Sequence, residues 1–83
     1  MSIETFHLMR RSAVQTNLRD LDRVALTAAV VTDDGDTVEA GTEGTVVGVW
    51  RRGAAYEVEF AHPVGALATV EAIRLRLIER AEP

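Results

Sequence analysis

Any chemistry in this chain must come from carboxylates, arginines, a few hydroxyls and two histidines, because cysteine is absent. Thiolate nucleophiles, disulfides and thiolate-bound zinc are therefore excluded. His7 and His62 are the only imidazoles, so a tetrahedral metal site would need carboxylates to complete it. His62 precedes Pro63, and a general base there would need a hydrogen-bonded partner and a substrate pocket. The serines, Ser2 and Ser12, both stand near the N-terminus, and no Ser/His/Asp or Cys/His constellation exists. His62 reads as a loop histidine. Asp33, Asp34 and Asp36 invite a calcium reading. However, an EF-hand loop needs oxygens at alternate positions and a bidentate Glu at its end, and Glu39 and Glu43 do not fall in that register. The cluster reads as a solvated turn. Glu57 and Glu59 are a same-face pair, roughly 6.5–7 Å apart at Cα on a strand. A chain of 83 residues offers little room for a sugar cleft between them. The sequence predicts no enzyme, no cofactor and no metal site.

One cluster points toward nucleic acid. Trp50, Arg51, Arg52 and Tyr56 combine cations for phosphate with rings for base stacking. Acidic residues dominate the adjacent strand, and the net charge of −4 opposes binding to a polyanion. All nine basic residues are arginine, a bias that a GC-rich coding genome accounts for.

The elements that must carry these residues are short and β-like. Arg23 to Thr27 alternates, with Val24 and Leu26 on one face, and Ala28 to Val31 extends the apolar run. Asp34-Gly35 centres a polar turn. Gly44 to Trp50 is rich in β-branched residues, as a strand requires. Arg51 to Ala54 is a tight connection into Tyr56-Glu57-Val58-Glu59-Phe60. There Tyr56, Val58 and Phe60 point to one side and Glu57 and Glu59 to the other. Pro63 blocks regular pairing in the loop Ala61 to Gly65. Ala66 to Val70 is a fourth strand. Over residues 71–81 the pattern is ambiguous. Ala72, Ile73, Leu77 and Arg80 suit one helix, while Leu75 and Leu77 alternating with Arg74 and Arg76 suit a strand. A turn over Glu71 to Arg74 before a fifth strand at Leu75 to Ile78 is favoured. Strands at intervals of roughly 8–12 residues predict a mainly β fold, a small barrel whose closure limits exposed edges.

Residues 1–20 differ in character. Ile3, Phe6, Met9 and Ala13 lie three or four apart, which suits one helical stripe capped by Ser2, whereas Thr5, Ser12, Thr16 and Asn17 are indifferent helix formers. A short packed helix and a frayed tail both stay open. The organisation is thus an extension over 1–20 and one barrel over 21–80. No apolar run approaches the roughly 18 residues a membrane span needs, and no signal-peptide pattern appears. A cytoplasmic location is expected, and the missing cysteines fit a reducing compartment.

Gly41-Thr42-Glu43-Gly44-Thr45-Val46 resembles the Gly-x-x-Gly-x-Val turn and strand of KOW-type and other SH3-like barrels. There a glycine supplies the positive φ of the turn, placed at Gly44 in this reading, and the following Val enters the core. Leu21 to Leu26, Gly41 to Val49, Tyr56 to Phe60, Ala68 to Val70 and Leu75-Arg76 follow in an order similar to a family of short bacterial SH3-like proteins of uncharacterised function. The chain is more distantly similar to the SH3-like part of the nitrile hydratase β subunit. These resemblances, over roughly residues 21–78, imply a five-stranded SH3-like barrel and bring no catalytic residues.

Three functions follow as expectations. The first is a non-catalytic protein-interaction module. It would use Glu57 and Glu59 on an acidic strand face, or an open edge, to bind a protein with a basic patch; a homo-oligomer stays open. The second is a KOW-type nucleic-acid-binding module using Trp50, Arg51, Arg52 and Tyr56. The third is an accessory subunit beside an enzyme.

Overall fold

The structure, a computed structural model, describes residues 17–81. The helical stripe expected over Ile3 to Ala13 lies outside the described residues. Seven strands form: β1 (Arg23–Leu26), β2 (Val30–Val31), β3 (Thr37–Val38), β4 (Glu43–Trp50), β5 (Ala55–Phe60), β6 (Ala66–Glu71) and β7 (Leu75–Glu79). Five of them build one antiparallel sheet in the order β6-β5-β4-β1-β7, and β2 pairs with β3 in a separate ribbon. The expected barrel is not closed: β6 and β7 remain the two edges of the sheet. The mainly β class stands.

Alternation explains β5. Tyr56, Val58 and Phe60 are almost wholly buried, whereas Glu57 is half-buried and Glu59 exposed. β6 follows the same rule, with Ala66, Ala68 and Val70 inside and Leu67, Thr69 and Glu71 outside. Both strands feed one core completed by Val24, Leu26, Val38, Val46 and Leu75. Burying each large apolar side chain is worth about 1.5–3 kcal/mol against leaving it in water. The 3₁₀ turn Ala72–Arg74 and the strand after it match the expected reading of this segment.

Two local features depart from expectation. Gly44 is not the turn residue. It lies inside β4, opposite Val24 and Phe60, while Gly41 holds the left-handed turn at φ +90°. Gly44 is required for a different reason, because Val58 and Phe60 occupy the space where its side chain would go. In β4, Val46 pairs with Val58 but Gly48 pairs with Glu57, so Val47 is an extra, bulged residue. A bulge bends its strand and increases twist, which helps this sheet wrap around a small core. The apolar run Ala28 to Val31 also divides, with β2 confined to its last two residues.

The packed domain begins before residue 21. Leu18, assigned by the sequence to the extension, is buried, and its N–H donates to the Tyr56 hydroxyl at 3.3 Å. Close by, the carboxylate of Asp22 is fully buried. It accepts hydrogen bonds from the N–H groups of Arg19 (2.8 Å) and Ala81 (2.9 Å) and from the Arg80 guanidinium (2.8 Å). Arg80 also donates to the Asn17 carbonyl. Burial by itself would raise the Asp22 carboxyl. The Ala81 and Arg19 N–H groups and the Arg80 charge outweigh it and hold the group below its ordinary value. One side chain thus ties the chain entering the sheet to the chain leaving it.

Candidate interaction surface

Register places Glu57, Glu59 and Trp50 on the outer face of the sheet. Three rows run across β4, β5 and β6: Thr45, Glu59 and Leu67; then Gly48, Glu57 and Thr69; then Trp50, Ala55 and Glu71. Glu57 and Trp50 therefore sit diagonally, within reach of each other. The Thr69 hydroxyl donates to Glu57 Oε1 at 2.7 Å, and Trp50 Nε1–H approaches the same oxygen at 3.4 Å. Glu59 has no ion pair among the described residues and faces solvent.

The acidic turn meets the edge of β6 that borders this face. The Asp33 N–H donates to the Leu67 carbonyl at 2.8 Å, which fixes the loop between β2 and β3 against β6. Within the loop, the Thr32 hydroxyl oxygen accepts from the Asp36 N–H, and the Gly35 N–H donates to the Thr32 carbonyl. These bonds hold a turn and leave Asp33, Asp34 and Asp36 exposed. No cluster of three metal-ligating side chains occurs among the described residues.

Most carboxylates elsewhere are neutralised. Arg23 pairs with Glu43 and, at 3.6 Å, with Glu79; Arg74 pairs with Glu71 at 3.4 Å. Glu43 and Glu71 are thus paired, while Glu57, Glu59 and the Asp33–Asp36 turn remain without arginine partners among the described residues.

Trp50, Arg51 and Arg52 share the hairpin between β4 and β5, and all three are exposed. Trp50 is 53% exposed, so about half of it meets solvent and the rest is covered. Arg51 and Arg52 both adopt left-handed backbone, at φ 50° and 60°, followed by Gly53 at φ 99°. Three consecutive left-handed residues turn the chain tightly and throw both guanidinium groups outward. Tyr56 does not join them. Its ring is wholly buried beside Leu18, so it cannot stack a base, and the fourth member of the expected nucleic-acid cluster is lost.

His62 lies in the loop between β5 and β6, near Arg23, Glu43 and Glu59 across a shallow depression. It makes no hydrogen bond to a carboxylate among the described residues. Sequence reasoning missed Thr69 and Glu71, which complete the outer face. Their signal was the strict alternation of Ala66 to Glu71, which marks every second residue as exposed. No described helix is long and apolar enough to cross a membrane.

No curated protein and no solved structure matches the chain significantly. A family model does match, across the whole sheet from just before Asp22 to the end of β7. The chain belongs to the family described as a domain of unknown function, DUF4926, which covers residues 20–79.

Proposed function

We infer that this chain is a non-catalytic protein-interaction module that receives a basic segment of a partner protein on the outer face of β5 and β6. The observation that carries this reading is the gathering of unneutralised carboxylates there. Glu57 and Glu59 stand on β5, and the Asp33–Leu67 bond brings the acidic turn to the adjoining edge of β6. A field of that sign steers a basic surface toward the domain and acts mostly on the association rate. Exposed Leu67 and Trp50 add apolar contact area at the rim. Glu57 lies on the outer face of a central strand, its Oε1 approached by Thr69 and Trp50, which suits docking better than proton transfer. We read the sheet as SH3-like, supported by its strand order and by the 3₁₀ turn between its two edge strands.

A second reading, binding of single-stranded nucleic acid, is favoured only by the exposed Trp50 beside Arg51 and Arg52, which have no carboxylate partner among the described residues. Capture from lysate at low and high salt separates the two. The parent should retain a protein at low salt and release it at high salt. The Glu57→Arg/Glu59→Arg variant, with an unchanged far-ultraviolet dichroism spectrum, should lose it. Equal retention by both would overturn the acidic-face reading. Capture of nucleic acid alone, lost in Arg51→Ala/Arg52→Ala, would establish the second.

A further inference from the structure

We propose that the open edge of β6 is the docking element itself: a partner segment in extended conformation adds to it as a strand, with basic residues alternating with apolar ones. This rests on the acidic-face reading and specifies how the partner is held. β6 pairs with β5 along one side only. Residues whose main-chain groups point to one edge alternate along a strand. The Asp33 N–H reaches the Leu67 carbonyl from the side away from β5, so the N–H and C=O of Thr69 and Glu71 point the same way. Among the described residues no backbone hydrogen bond reaches either group of Thr69 or the Glu71 N–H there, while the Glu71 C=O caps the 3₁₀ turn that follows. An uncovered row of this kind is the template on which strand addition operates.

The surroundings of that edge define the occupant. On the inner side a cleft separates it from β2, walled by Val30, Val31, Val70 and Arg74. On the outer side a second depression is walled by Trp50, Arg51 and Ala55, and Thr69 and Glu71 form the bank common to both. An added strand would turn alternate side chains to these two sides. Those turned inward meet valines; those turned outward meet the face bearing Glu57 and Glu59. Charge complementarity therefore selects a basic–apolar alternating segment. It disfavours a second copy of this chain, whose own outer face would bring more carboxylates.

The test uses the full chain and a capped peptide of alternating Arg and Val, followed by fluorescence anisotropy. Two further versions carry N-methyl groups on the Arg amides or on the Val amides, so that each blocks one edge of the peptide. Blocking one set should weaken binding about tenfold or more, as expected for one or two lost hydrogen bonds. Blocking the other set should leave binding unchanged. Amide exchange at Thr69 and Glu71 should slow only when peptide is present. If both methylated peptides bind as well as the parent peptide, and Glu57→Arg/Glu59→Arg still weakens all three, the acidic face stands and strand addition is overturned. If the unmodified peptide fails to bind, or binds the double variant equally well, both readings fall together. Slow exchange at Thr69 and Glu71 in the free chain, or a dimer that protects them, would overturn the proposal by showing the edge already occupied.

Discussion

At position 44 a Cβ would lie 2.7 Å from Val58 Cγ1, 2.9 Å from the Glu59 carbonyl oxygen and 3.0 Å from Phe60 Cδ1. A methyl side chain could be relieved by rotating Val58, but the carbonyl belongs to the β4–β5 ladder and has little freedom. Gly44→Ala should therefore cost about 1–3 kcal/mol through overpacking, and Gly44→Val more. Chemical denaturation of the two variants measures this, and an unchanged midpoint would contradict the close approach. Asp22 gives a prediction of another kind. Because its folded carboxyl titrates below its ordinary value, it stabilises the fold fully above the unfolded value of about 3.9. That stability is lost as pH falls through the lower folded value. Asp22→Asn should cost about 1–3 kcal/mol at neutral pH by leaving donors poorly matched. It should also flatten the decline of the urea midpoint between neutral and acid pH. A variant with the parent's acid slope would show that other carboxylates carry it.

Among the elements, β5 lies between β4 and β6 and supplies the largest buried side chains. Phe60→Ala should remove about 3–5 kcal/mol, close to the whole stability of so small a domain. Thermal melting that remained cooperative within a few degrees of the parent would place Phe60 outside the core. β5 was legible in the sequence because five consecutive residues alternate without exception. The segment from Glu71 to Glu79 was only half legible: Leu75 and Leu77 alternate with arginines as in a strand, but Ala72, Ile73 and Leu77 also fit one helical face. β2 and β3 were not, since two-residue strands contain no period to detect. Gly44 was misplaced for a related reason: a glycine at the start of a strand and one in the preceding turn look alike until the partner strand is known. The bulge at Val47 and the failure of the barrel to close depend on register between strands, which one strand's residues do not encode. The outer face was half legible. Glu57 and Glu59 were visible in their own strand, while Thr69, Glu71 and the approach of the acidic turn needed the pairing of β5 with β6. Tyr56 was pulled two ways, toward the core by alternation and toward nucleic acid by its neighbours, and the core prevailed.

For the molecule as a whole, the boundary of the family match and the boundary of the packed domain differ in consequence. Residues 20–79 contain every described strand, but not Leu18, Arg19, Arg80 or Ala81. Leu18 is part of the core, and Arg19, Arg80 and Ala81 supply all three of the donors to Asp22. A chain trimmed to 20–79 should lose about 1.5–3 kcal/mol for the buried leucine and roughly 1–3 more for the orphaned carboxylate. Against a total of about 5 kcal/mol, that leaves little. Its urea midpoint should fall far below that of a chain spanning 17–81, and equal midpoints would show that the strands suffice. Asp22 was unreadable as a structural residue from sequence, because Arg80 and Ala81 lie 58 and 59 positions away.

The same junction determines how the domain would answer a mechanical load. Arg23, the first residue of β1, pairs with Glu79, the last of β7. Tension applied to the two ends therefore pulls neighbouring strands apart at their tips, and the bonds between them would open one after another like a zipper. The Asp22 junction stands at the head of that line. Under traction it is the latch, and once it gives, each ladder bond between β1 and β7 meets the force alone.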